Sequence, residues 1–128
     1  MGYRLSRRSL SRLAGVHADL VAVVKRAIEI TAVDFVVTEG LRTIERQREL
    51  MAAGASRTLQ SRHLTGHAVD LAALVGNEVR WDWPLYGKLN LAMQRAADEL
   101  QIPVEWGGSW RTFKDGPHWQ LGWQRYPA

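Results

Sequence analysis

The side chains best suited to chemistry in this sequence are four histidines, at positions 17, 63, 67 and 118, and the carboxylates near them in the chain. With no cysteine present, a bound metal would have to be held by histidine and carboxylate. The segment Ser61-Arg62-His63-Leu64-Thr65-Gly66-His67-Ala68-Val69-Asp70 brings such groups together. His63, in a loop, can fold back over Gly66 toward Asp70 on a following strand. Ala68, on the same strand face by the two-residue period, leaves room there for an ion. A hairpin with polar loop residues accounts for this spacing equally well. A helical site with His63 and His67 one turn apart does not. That chemistry needs glutamate directly after the first histidine, where Leu64 stands, and Gly66 weakens a helix.

A catalytic zinc site commonly combines three protein ligands with one open position. His118 is the natural third, because it opens a predicted strand straight after Asp115-Gly116-Pro117. Two neutral histidines and one carboxylate leave such a site net positive, which lowers the pKa of a bound water from 15.7 toward about 7. Asp115, across a turn stiffened by Pro117, is placed to accept that proton and pass it to a leaving amine. His17 begins a helix and reads as structural or surface; His67 reads as a neighbour of the site, not a ligand.

The elements that must position these groups follow from periodicity. Leu20, Val23, Val24, Ala27 and Ile28 predict an amphipathic core helix over 17–31, and residues 34–38 a short strand ending before the turn Glu39-Gly40. Thr43 caps a helix that Gly54 terminates, and 55–66 reads as loop. Residues 68–74 read as a buried strand closed by Gly76-Asn77. Pro84 opens a second core helix, with Leu85, Leu89, Ala92, Met93, Ala96 and Leu100 as its stripe, and Pro103 stops it. Residues 104–106 and 118–121 are strand candidates. The pattern predicts an α+β domain with a small, largely antiparallel sheet. Most of the six tryptophans are expected in the core, with Trp106 and Trp110 as candidates for a substrate groove.

The motif Ser61-x-His63-x-x-Gly66-x-Ala68-x-Asp70 resembles the signature of the zinc D-Ala-D-Ala carboxypeptidases and L-Ala-D-Glu endopeptidases, a family that includes many phage endolysins. Asp115-Gly116-Pro117-His118-Trp119-Gln120 is similar to its second motif, and Gly40-Leu41-Arg42-Thr43 with Gln47 to its strand-exit arginine and following helix. The resemblance runs from about Leu13 to Leu121. It implies that His63, Asp70 and His118 bind Zn2+, that Asp115 is the catalytic acid/base, that the fold is the α+β one shared with the hedgehog signalling domain, and that the substrate is peptidoglycan. Carboxypeptidases of the family usually carry glutamate at the position of Asp115. The aspartate, with the loop from Trp106 to Asp115, is more like the endopeptidases that cut between L-Ala and D-Glu. Substrate-binding roles follow for Arg42, Ser61 and Gln47. The planar fork of Arg42 could clamp a substrate carboxylate, or form a surface salt bridge with Glu39 or Glu45. Ser61 could bond substrate or cap its loop.

The 128 residues suit a single domain, 1–128, and their 46% hydrophobic and 23% charged content a globular one. No stretch approaches the roughly 20 apolar residues that span a bilayer. Arg4, Arg7, Arg8 and Arg12 interrupt the N-terminus, so no secretory signal is read. The chain is expected to be made in the cytoplasm and to reach the wall after release. Residues 1–64 carry 11 basic and 6 acidic side chains, and residues 65–128 carry 6 and 7. Such a basic half attracts nucleic acid or anionic wall polymers alike, but no nucleic-acid motif is present. A zinc-containing, non-catalytic wall-binding module is the other rival, and a structural site has no use for Asp115. The expected partner is peptidoglycan, met by a monomer.

Overall fold

The computed structural model describes residues 2–56, 58 and 60–127. Its elements run α1 (Arg7–Arg12), α2 (Ala18–Ile30), β1 (Phe35–Glu39), α3 (Ile44–Ala52), β2 (Ala68–Val75), β3 (Glu78–Arg80), α4 (Trp83–Leu100), β4 (Val104–Trp106) and β5 (His118–Leu121). All strand pairs are antiparallel, in the order β1-β2-β5-β4, with β3 returning along the far half of β2. This is the small α+β architecture the sequence predicts. No helix of the described residues is long and apolar enough to cross a membrane.

The two-residue strand period divides the sheet's faces. Phe35 and Val37 of β1, Val69, Leu71 and Ala73 of β2, and Trp119 and Leu121 of β5 join one core with Leu20, Val23 and Val24 of α2 and Leu89 and Met93 of α4. Burying each large apolar side chain there contributes about 1.5–3 kcal/mol. The intervening positions Ala68, Asp70, His118 and Gln120 point to the other face, and there the polar groups collect.

The helix starts follow the capping chemistry of the sequence. His17 accepts the Asp19 N–H on Nδ1 at 3.0 Å to begin α2, and Thr43 accepts the Arg46 N–H at 3.2 Å to begin α3. Gln101, at φ +58°, ends α4 ahead of Pro103.

Besides the unanticipated strand β3, which the turn at Gly76-Asn77 folds back on β2, three features differ from expectation. A helix, α1, forms in the arginine-bearing N-terminus, capped by the Ser6 hydroxyl on the Ser9 N–H at 3.0 Å; its lack of apolar periodicity hid it. It lies along the outer edge of β1, where the Val37 N–H donates to Ser9 Oγ at 2.9 Å and Arg12 Nη1 donates to the Val37 carbonyl at 3.0 Å. The stretch read as loop over 55–66, of which residues 57 and 59 lie outside the described set, ends in a short 3-10 helix, Arg62–Thr65. Of the tryptophans expected in the core, Trp119 is fully buried, whereas Trp81, Trp83 and Trp123 are about half exposed.

Candidate active site

The strand register assembles the site. Asp70 on β2 stands opposite His118 on β5, and a register shift after Val37 sets Glu39 of β1 opposite Asp70 on the other side. His63 reaches the same point from the 3-10 helix. That helix starts where Ser61 Oγ accepts the His63 N–H at 3.2 Å and stops at Gly66, whose φ of +76° suits glycine. A Cβ at Gly66 would also collide with the carbonyl oxygen of Gly15, so the turn is locked against the start of α2.

Each histidine is aimed by its far nitrogen. His63 Nδ1 lies 2.8 Å from the Gly40 carbonyl, which can only accept, so the hydrogen is on Nδ1 and Nε2 is left as a donor of electrons. His118 Nε2 lies 2.8 Å from Gln120 Oε1, and the Gln120 amide nitrogen donates to Glu105 at 3.2 Å; this leaves Nδ1 facing inward. His63 Nε2 and His118 Nδ1 meet Asp70 Oδ1 at 3.0 and 3.4 Å, and the rings stand edge to face at 5.0 Å. The three candidate ligand atoms lie within 4.8 Å of one another. Among the described residues this is the group placed to hold a metal ion, and two oriented imidazoles plus one carboxylate fit that task.

The electrostatics agree. Burial alone would raise the Asp70 carboxyl, but the imidazoles of His118 and His63 beside it outweigh burial and hold that carboxyl well below the usual range. Burial would lower His118, and the bonds to Asp70 reverse the sign and raise it. Asp115 moves the other way: burial, then the charge of Asp70, push its carboxyl above the usual range. Its Oδ2 sits 3.9 Å from His118 Nδ1, and its N–H donates to the Gly107 carbonyl at 3.0 Å. A Cβ at Gly107 would collide with the Asp115 carbonyl, so glycine there lets the loop close.

A cavity of about 450 Å³ opens over these groups, walled by Arg42, Ser61, Trp110, Phe113, Asp115 and Trp123 among others. The guanidinium of Arg42 is paired with Glu39 through Nη2 at 2.5 Å and Nε at 3.0 Å, and its Nη1 donates to Gln47 Oε1 at 2.7 Å and reaches Ser61 Oγ at 3.5 Å. Glu39 is thus the partner named by the salt-bridge alternative, but the arginine side chain is 8% exposed and the pair is not a surface one. Gln47 is fully buried behind Arg42, its amide nitrogen donating to Ser56 Oγ and the Thr58 carbonyl at 2.7 and 2.5 Å. It does not form part of the cavity wall.

Trp110 lines the cavity, with its ring 5.3 Å from that of His118. Trp106 does not. Pairing opposite Trp119 turns it to the helix side, where it stacks on that ring at 6.2 Å and donates to the Gly116 carbonyl at 2.7 Å. His67 bonds Thr65 and stands apart from the metal-binding group. The sequence reading missed the placement of Glu39 opposite Asp70, the Gly40 carbonyl, Arg62 and the aiming role of Gln120. Only Gln120 carried a signal, two residues from His118 on one strand face.

Comparison with known proteins agrees with this geometry. The family model described as phage L-alanyl-D-glutamate peptidase matches residues 1–120. The crystal structure of the Serratia marcescens L-Ala D-Glu endopeptidase ChiX superposes with a TM-score of 0.94 at 52% identity, over 99% of this chain and 96% of that one. The L-alanyl-D-glutamate peptidase of Escherichia phage T5 is 29% identical over 119 residues, which is 90% of this chain and 87% of the relative. The peptidoglycan L-alanyl-D-glutamate endopeptidase CwlK of Bacillus subtilis is 32% identical over 128 residues, 83% of this chain and 75% of the relative.

Proposed function

From the premise that the chain belongs to the phage L-alanyl-D-glutamate peptidase family, we infer that it is an endolysin-type peptidase hydrolysing the L-Ala–D-Glu bond of peptidoglycan stem peptides. The observation that carries this reading is the convergence of His63 Nε2 and His118 Nδ1 on Asp70 Oδ1, with Asp115 beside them on a substrate-sized cavity. His63, Asp70 and His118 would hold zinc, which when bound would supply Lewis acidity at the site.

The chain's own groups do the rest. Asp115, whose carboxyl burial and Asp70 raise above the usual range, accepts the proton of the attacking water on a carboxylate oxygen and delivers it to the leaving nitrogen of glutamate. Arg42 keeps a buried cation 3.8 Å from Asp70 and offers its field to negative charge developing on the carbonyl oxygen. Gln47 holds that guanidinium from behind. Ser61 holds the His63 loop and borders the substrate. Action as a single, monomeric catalytic domain on the wall, after release from the cytoplasm, belongs to the same proposal.

The test is digestion of purified peptidoglycan followed by mass spectrometry. Fragments with a new N-terminal glutamate, abolished by a chelator and restored by zinc, are expected. Release of free D-alanine instead would mark a D-Ala-D-Ala carboxypeptidase, and binding without any cleavage would mark a wall-binding module.

A further inference from the structure

Arg62 is the anomaly of the site. The residue is 4% exposed; Nη2 donates to the Leu121 carbonyl at 2.7 Å, while Nε and Nη1 are buried with no hydrogen-bond partner among the described residues. The guanidinium lies 3.9 Å from the centroid of the Trp123 ring. Glu105 attracts it from a distance but forms no ion pair with it, and the Glu105 carboxylate bonds Gln120. Buried donors are nearly always satisfied, and a buried cation without an anion is costly, so this arrangement needs a reason. Arg62 and Trp123 both border the substrate cavity. The other arginine there, Arg42, has its fork filled by both oxygens of Glu39. A carboxylate entering the cavity therefore meets one cation already neutralised and one that is not.

We propose that Arg62 is the carboxylate receptor of this cavity, selecting substrates in which the glutamate on the leaving side keeps a free carboxyl group. The assignment rests on the peptidase reading above. A glutamate linked on both sides, through its amino group and one carboxyl, retains the other as an anion next to the scissile nitrogen. Nε and Nη1 lie on different edges of the guanidinium, so such a group is met on one edge by one of these donors together with the second N–H of Nη2, the first being held by the Leu121 carbonyl. The half-exposed indole of Trp123 stacks on the face of the guanidinium at the cavity wall and would shift to admit the anion to the in-plane donors. Arg62 thus sets specificity, and the fork that sequence reasoning sought at Arg42 is found one residue before His63.

The zinc-loaded protein is given two stem peptides that differ only in whether the D-glutamate carboxyl is free or amidated. Wild type is expected to favour the free acid in kcat/KM by about ten- to a hundredfold, the scale of a charged hydrogen bond. In Arg62→Met the ratio should fall toward one, and in Arg62→Lys, which keeps the charge without the fork, a reduced preference should survive. Equal rates on both peptides in wild type, or an unchanged ratio in Arg62→Met, would overturn the assignment. Should the methionine variant fail to fold, inhibition of wild type by the two cleavage products decides: equal inhibition by acid and amide overturns it, and at least about tenfold weaker inhibition by the amide supports it. A wild type that cuts neither peptide defeats the peptidase reading itself, whereas one that cuts both alike defeats only the role of Arg62.

Discussion

Gln120 holds His118 from behind: its side-chain oxygen accepts from Nε2 at 2.8 Å while Nδ1 faces Asp70 at 3.4 Å. One strand residue thereby chooses which nitrogen of another faces the candidate metal position. Gln120→Leu keeps approximate volume and removes the acceptor, so zinc affinity should fall about 10- to 100-fold. Competition against a chelator of known affinity measures this. Unchanged affinity would mean that packing alone aims the ring.

Metal binding should also appear as stability. With free zinc at 100 times its dissociation constant, wild type should gain about 2.7 kcal/mol against unfolding, and His63→Ala, lacking one of three ligands, nearly nothing. Urea titrations with and without zinc compare them. An equal gain in both proteins would place the ion elsewhere.

Asp115 gives a dependence on pH whose sign is fixed by its environment. Its carboxyl is raised in the folded protein by burial and by Asp70, so the folded state holds that proton more tightly than the unfolded chain. The cost is absent below the unfolded value of about 3.9 and grows as pH rises through the folded value. Metal-free Asp115→Asn should therefore be more stable than wild type at neutral pH and indistinguishable near pH 3. The zinc-loaded variant should lose roughly 10²- to 10⁴-fold in rate. Full activity would assign the proton transfer to another acid, such as Glu105.

Arg42 and Glu39 form a pair whose loss is felt in folding. The pair is only partly buried, so Arg42→Ala, which leaves Glu39 opposite Asp70 without its cation, should cost about 1–3 kcal/mol in unfolding of the metal-free protein. Adding Glu39→Gln to that variant should recover part of the loss. No recovery would show that the guanidinium matters through packing alone.

The meeting of His63, Asp70 and His118 was legible because its members are fixed by local rules: a strand period of two, a glycine that must turn, and a strand opening after Pro117. Long-range pairing was not. Nothing local says that Val37 slips in register so that Glu39 faces Asp70, and hence that Arg42 is answered from within the chain. The tryptophans misled for a related reason. Hydrophobicity places an indole inside, but Trp106 and Trp110, four residues apart, part company because the first belongs to a strand paired with Trp119 and the second to the loop beyond it. Arg62 was invisible, since only the fold shows that an arginine has been buried without an anion.

The N-terminal helix has a consequence beyond the site. β1 is the last strand on its side of the sheet, and Ser9 and Arg12 answer the N–H and carbonyl of Val37 with side chains where another strand would use backbone. Phe35-Val36-Val37-Thr38 is a β-prone, uncharged run of the kind that recruits a second chain when its edge lies open. Six helical residues thus act as a false neighbour, filling the place that a copy of the protein would otherwise take. A chain deleted through Arg12 should keep its core and yet self-associate with rising concentration, its solubility having depended on two side chains about 25 residues from the strand they shield.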